Sequence, residues 1–139
     1  MMKPVIKGNS IAIPSSQEFL TDVDVFIEGM LRGYGTDESD VADIAISVSE
    51  LVNNAILHGN ESSLDKAVTV TISRNVDRIE VSVADQGSGF DPSEVKNPID
   101  NGNLLKEVGR GIFIVRSLMD EVAINATDRG TTVTVAKNI

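Results

Sequence analysis

Val68-Thr69-Val70-Thr71-Ile72-Ser73 and, beyond a polar turn at Asn75 to Asp77, Ile79-Glu80-Val81-Ser82-Val83-Ala84 carry an apolar residue at every second position. A period of two belongs to a pleated strand with one covered face, so the two stretches are predicted to pair as neighbouring antiparallel strands. Upstream the period is that of a helix. Phe19, Leu20, Val23, Phe26, Ile27, Met30, Leu31 and Tyr34 recur every three or four residues, between a capping-box spacing at Ser15 and Glu18 and a stop at Gly33 and Gly35. A second cap signal at Thr36 and Asp37 opens a longer helix, whose apolar stripe runs from Val41 to Ile56 and ends at His58-Gly59. Val5 to Ile13 reads as a hairpin or edge strand around Gly8-Asn9-Ser10 and closed by Pro14, and Ile112 to Met119 as a third helix. Strands at Val122 to Ala126 and Thr131 to Ala136 flank a turn at Asp128-Arg129-Gly130. Gln86 to Val108, broken by Gly87, Gly89, Pro92, Pro98 and Gly102, is predicted to be a loop. About 20 residues without regular structure in so small a domain mark function or disorder. Adjacent antiparallel strands, with helices enough to cover one face, predict a two-layer α/β sandwich.

The chain has 139 residues, and 21 acidic against 12 basic side chains leave a formal charge of −9. That length predicts a single domain, residues 1–139, able to bury a core without staples. No cysteine is present, which excludes disulfides, a thiolate nucleophile and Cys-ligated metal. No apolar run approaches the ~20 residues of a membrane span, and Lys7, Gly8, Asn9 and Ser10 interrupt what a signal peptide would need. Cytoplasm is the expected location, with no membrane partner. The acidity also disfavours nucleic acid, because a negative surface repels a polyanion, yet local backbone dipoles can still hold a nucleotide.

Four groups of residues suggest chemistry. On the long helix Asp43, Ser47, Glu50, Asn54 and His58 lie three or four apart, a polar stripe beside the apolar one. Glu50 and Asn54 suit a general base and a neutral oxygen ligand for Mg²⁺, although an ordinary solvated helix face looks the same in sequence. Asp85 shares strand parity with Ile79, Val81 and Val83, which places a carboxylate at the end of a covered face, followed by Gly87 and Gly89. An adenine amino group is a fitting donor to it; a capped Asp-x-Gly turn is the plain alternative. Gly109-Arg110-Gly111 before the third helix suggests free N–H groups and a positive helix end for phosphate, with Lys106, Arg110 and Arg116 close in sequence. A bare helix start explains that as well. Thr131 shares parity with Val133 and Val135 and should face the covered side. The P-loop, dinucleotide and eukaryotic-type kinase signatures are absent, and a single His excludes a His-pair zinc site.

In order, Glu50-Leu-Val-Asn-Asn54-Ala-Ile-Leu-His58-Gly59, Asp85-Gln-Gly87-Ser-Gly89, Gly109-Arg-Gly111-Ile-Phe-Ile and Gly130-Thr131-Thr132 resemble the N, G1, G2 and final glycine-threonine motifs of the GHKL ATPase superfamily. Within it, the Ser-Glu-Leu-Val-Asn-Asn-Ala and Gly-Arg-Gly-Ile-Phe-Ile-Val-Arg-Ser-Leu-Met-Asp-Glu-Val stretches resemble the stand-alone bacterial anti-sigma-factor serine kinases, over residues 10 to 137. The resemblance implies a Bergerat fold, with a mixed, mostly antiparallel sheet covered on one face by helices. It implies that Asp85 receives the adenine amino group with Thr131 close by, that Asn54 holds Mg²⁺, and that Glu50 activates a serine hydroxyl. Gly109 and Gly111 would offer N–H groups to the phosphates of ATP, Gly87 and Gly89 would leave room for the base, and residues 90–108 would form the ATP lid. Some members carry an arginine two residues before the first G2 glycine; Glu107 stands there in this chain, leaving Lys106 or Arg110 to reach the phosphates. The implied partners are a STAS-domain antagonist as substrate and a sigma factor, bound by a homodimer.

A kinase that phosphorylates the antagonist is therefore the first expectation. A non-catalytic switch gated by ATP and ADP is the second. The catalytic domain of a histidine kinase fits less well, since His58 lies inside the nucleotide-binding motif.

Overall fold

The computed structural model describes residues 3–87 and 102–139, with the backbone alone for 102–107. Six strands form one sheet: β1 (Val5–Lys7), β2 (Ser10–Pro14), β3 (Ala67–Arg74), β4 (Arg78–Ala84), β5 (Glu121–Thr127) and β6 (Gly130–Asn138). Their spatial order is β1-β2-β3-β4-β6-β5. Helices α1 (Leu20–Gly33), α2 (Glu38–Asn54) and α3 (Gly102–Leu118) cover one face. Every pairing among the described residues is antiparallel, so the mixed sheet expected from the family resemblance is corrected to a wholly antiparallel one. The two-layer sandwich is as predicted.

The strand alternation is realised to the residue. Val68, Val70 and Ile72 on β3 and Ile79, Val81 and Val83 on β4 are buried under the helices, and the register pairs Val70 with Val83 and Ile72 with Val81. β-Branched side chains pack well on such a pleated surface. Ile27 and Leu31 from α1 and Ile44, Val48 and Val52 from α2 fill the opposite layer. The outer face of the sheet carries small and polar residues, among them Thr71, Ser82 and Thr134, all partly exposed.

The first helix starts one residue later than the capping-box reading places it. Ser16, not Ser15, caps a short 3-10 turn (Gln17–Phe19) that leads into α1, its hydroxyl accepting from the N–H of Glu18 at 3.5 Å. Ser15 is buried, and its hydroxyl donates to the carbonyl of Lys66 at 2.7 Å. A tertiary partner outcompetes the local cap. On α1, burial and then the neighbouring Glu28 carboxylate push the pKa of Asp24 up. A raised folded-state value means that ionised Asp24 opposes folding, so its contribution is complete below the ordinary carboxylate range and is lost as pH rises through the raised value. Asp24→Asn should accordingly raise the melting temperature by about 1–2 °C at pH 7. Near pH 3 the two melting curves should coincide.

Lys137, near the end of β6, ties the helical layer to the sheet. Its ammonium donates to Asp43 on α2 at 3.0 Å and to the carbonyl of Leu118 at the end of α3 at 2.7 Å. Opposite charge at a helix C-terminus is favourable. This fixes α2 against α3, and the candidate site opens along the seam between them.

Candidate functional site

Asp85 lies just beyond β4, where the chain leaves the sheet beside β6. Its Oδ1 accepts two backbone N–H groups, from Thr131 and from Gly87, both at 3.0 Å. Its own N–H donates to the carbonyl of Thr131 at 2.9 Å. The Gly87 contact is the Asp-x-Gly turn that the sequence allowed as the plain alternative, so that reading holds as well. Only Oδ1 takes part in these bonds, and Oδ2 lies against the α-carbon of Gly59.

Three glycines are packed tightly around Asp85. A Cβ at Gly59 would overlap Oδ2 of Asp85, a Cβ at Gly87 would overlap the carbonyl oxygen of Gly59, and one at Gly130 the carbonyl oxygen of Asp85. Gly130 also has φ +143°, a conformation that favours glycine. Gly87 is therefore explained by close backbone approach behind Asp85. Gly89 and residues 88–101, with most of the predicted lid, lie outside the described residues.

Asp85 forms one side of a cleft lined also by Asn54, His58, Val108, Ile112 and Thr131. The space counted out to solvent is about 400 Å³, but only about 30 Å³ of it is wide enough for the centre of a water molecule. Val108 and Ile112 of α3 narrow it. Among the described residues, the hydroxyl of Thr131, 2% exposed, has no partner, and the buried Nδ2 of Asn54 has none either. Buried polar atoms are normally paired, so two orphans at one cleft point to a missing polar ligand.

The polar stripe of α2 faces α3, not solvent. Ser47 is fully buried, and Glu50 and Asn54 are half-buried, with Gly111 of α3 directly opposite. A Cβ at Gly111 would stand 3.0 Å from Asn54 Nδ2 and 3.3 Å from Glu50 Oε2. The glycine thus keeps a narrow opening above the base and ligand candidates. Glu50 and Asn54 form one end of the site and Asp85 and Thr131 the other.

The phosphate cradle departs from expectation. The helix was predicted to begin at Ile112, leaving the N–H groups of Gly109 and Gly111 free, but α3 begins at Gly102 and both glycines lie inside it. Residues 102–108, assigned to the lid from the sequence, are helical here. The reason is packing: the stripe of Val108, Ile112, Val115 and Met119 extends the helical period upstream of the glycine pair. Arg110 is exposed on this helix, and the side chain of Lys106 is not among those described.

The sequence reading missed a buried polar centre next to Asp85. Asn60, 1% exposed, donates through Nδ2 to Ser15 Oγ at 2.9 Å and to the carbonyl of Ala67 at 3.0 Å. Its Oδ1 accepts from the N–H of Gln86 at 2.7 Å. In sequence Gly59-Asn60 is simply a helix stop, and no period marks Asn60 as buried.

A carboxylate at a strand end, an asparagine on the facing helix and a threonine beneath them, in a sandwich of this topology, define a class. The chain matches the histidine kinase-like ATPase domain family over residues 13–137 and belongs to that family. More narrowly, it is 31% identical over 134 residues to the serine-protein kinase RsbW of Staphylococcus epidermidis, an alignment covering 91% of this chain and 84% of that protein. Among solved structures it resembles the RsbU and RsbW domains of Rv1364c from Mycobacterium tuberculosis, with a TM-score of 0.70 and 22% identity, covering 98% of this chain and 32% of that one. It also resembles the SiaB–SiaC complex from Pseudomonas aeruginosa, with a TM-score of 0.60 and 13% identity over 99% of this chain and 90% of that one. The structural likenesses bear on the fold alone.

Proposed function

We propose that this chain is an ATP-dependent serine-protein kinase of the anti-sigma type, which phosphorylates a STAS-domain antagonist and, in its other state, holds a sigma factor as a homodimer. The observation that carries the reading is the half-used carboxylate of Asp85. Two backbone N–H groups occupy Oδ1, which leaves Oδ2 for a donor in the cleft, and the 6-amino group of adenine is such a donor. The similarity to RsbW proteins supports the serine-kinase assignment.

The residues fit Mg²⁺ and phosphate with few protein contacts. Among the described residues no group of three or more His, Cys, Asp or Glu is placed to hold a metal. Asn54 offers one neutral oxygen, and Mg²⁺ takes most of its ligands from water and phosphate. When bound, the ion would neutralise charge on the transferring phosphoryl group. Glu50 would accept the proton of a serine hydroxyl as the serine oxygen bonds to the γ-phosphorus and the bond to the β–γ bridging oxygen breaks. ADP is the leaving group. Gly111 keeps the approach to Glu50 open.

Phosphate needs N–H groups that lie in the interior of α3, so nucleotide binding should unwind or shift α3 around Gly109 and Gly111. Gly109 is consistent with this, since a side chain there would meet nothing within 4 Å and packing does not demand its absence. Such a movement frees the N–H groups of Gly109 and Gly111 for phosphate. Among the described residues no helix is long and apolar enough to cross a membrane; a cytoplasmic location is proposed.

The test is co-purification from the source cell with ATP–Mg²⁺ and then with ADP, followed by intact-mass analysis. A small partner should gain one phosphoryl group on serine with ATP only. A partner held in a nucleotide-dependent way that never gains mass would replace the kinase by the ATP-gated switch.

A further inference from the structure

We infer that Asn60 is a positioning residue that sets base selectivity by fixing the segment that carries Asp85; the inference rests on the reading of Asp85 as the adenine receptor. α2 ends in a π-helical turn, Ala55–Gly59, and such a turn widens the helix by one residue. It closes through the N–H of Asn60 to the carbonyl of Ala55 at 2.8 Å and that of Ser62 to Ile56 at 2.7 Å. Glu61 and Ser62 then sit at φ 51° and 57°, two successive non-glycine residues in the left-handed region. That conformation costs free energy at each residue and persists only where its surroundings hold it.

The Asn60 side chain ties this turn to the sheet. Only one orientation of its amide matches donors to acceptors: Nδ2 faces the carbonyl of Ala67 and the hydroxyl of Ser15, and Oδ1 faces the N–H of Gln86. Gln86 returns the grip, its Oε1 accepting from the N–H of Ala67 at 2.7 Å. Ala67 begins β3, so the end of α2, the start of β3 and the exit of β4 meet at one buried amide. Gln86 is the residue after Asp85, and Gly59, next to Asn60, abuts Oδ2 of that aspartate. Asn60 therefore anchors the segments on either side of Asp85, while the N–H groups of Thr131 and Gly87 orient its carboxylate. It touches no part of the cleft itself: among the residues lining it are Gly59 and Asp85, and not Asn60.

The experiment compares Mg²⁺ complexes of ATP and of purine riboside triphosphate, which lacks only the 6-amino group, by calorimetry on the full chain. Wild type should favour ATP by about tenfold or more, as expected of a site built to receive a donor. Asn60→Ala should bring the ratio to within about threefold of unity. Asn60→Asp, which keeps an acceptor for the N–H of Gln86 but sets an oxygen against the carbonyl of Ala67, should lose the preference as Asn60→Ala does. Gln86 is exposed, so Gln86→Ala is expected to fold, and it should cut the ratio by about threefold with little change in melting temperature. A residue that merely stabilises the fold would lower the melting temperature and leave the ratio intact. The inference is overturned if wild type discriminates and the ratio survives in Gln86→Ala and in folded Asn60→Ala. Failure of wild type to discriminate overturns the adenine reading of Asp85, and this inference falls with it.

Discussion

Asp85→Asn is expected to fold normally and to lose ATP affinity by about 100-fold or more. The variant keeps an oxygen for the N–H groups of Thr131 and Gly87, so the turn and the β4–β6 junction survive. What changes is the atom facing the cleft, where an –NH₂ replaces Oδ2 and meets the adenine amino group as donor against donor. A hydrogen bond to a charged group is worth about 1.5–3 kcal/mol, and two opposed donors add a desolvation cost. The same exchange should favour inosine triphosphate, whose 6-oxo group accepts from the new amide. Titration calorimetry with both nucleotides reads the reversal directly, and unchanged ATP affinity would remove Asp85 from base recognition.

The second large effect belongs to Glu50. Glu50→Ala should bind ATP within about threefold of wild type yet transfer phosphate about 10²–10⁴-fold more slowly, the range for loss of a positioned general base. Binding is expected to survive because Asp85 and Thr131, the groups proposed to meet the base, line the cleft and Glu50 is not among its lining residues. Parallel measurement of nucleotide affinity and of single-turnover transfer to the co-purified partner separates the two. Wild-type transfer by this variant would rule Glu50 out as the base.

The strands and helices were legible because their apolar periods are clean, two in β3 and β4 and 3.6 in α1 and α2. At the base end, Asp85 and Thr131 were legible from parity: each sits where strand alternation puts a polar group on a covered face. What escaped was tertiary in origin. Glycine disfavours a helix interior by about 1 kcal/mol, so Gly109 and Gly111 look like a helix start. In the fold Gly111 is inside α3 because α2 passes too close for a side chain. Ser15 looks like a cap and is instead a buried partner of Lys66 and Asn60. Asn60 carried no signal, since a stop after a helix needs no burial. Such contacts join residues 45 or more apart in the chain, which local patterns do not encode.

The sheet order has a consequence for biosynthesis. β6 lies between β4 and β5, supplies Thr131 to the cleft and carries Lys137, which pins Asp43 and the end of α3. Until residues 130–138 have left the ribosome, β4 lacks one neighbour, β5 has nowhere to pair and the seam between α2 and α3 is unlocked. A chain without residues 130–138 therefore leaves Asp85 without the Thr131 N–H that holds its carboxylate. Pairings this distant in sequence close slowly. The β4–β6 pairing thus completes the wall that Asp85 and Thr131 share, a junction that no segment before residue 130 can form.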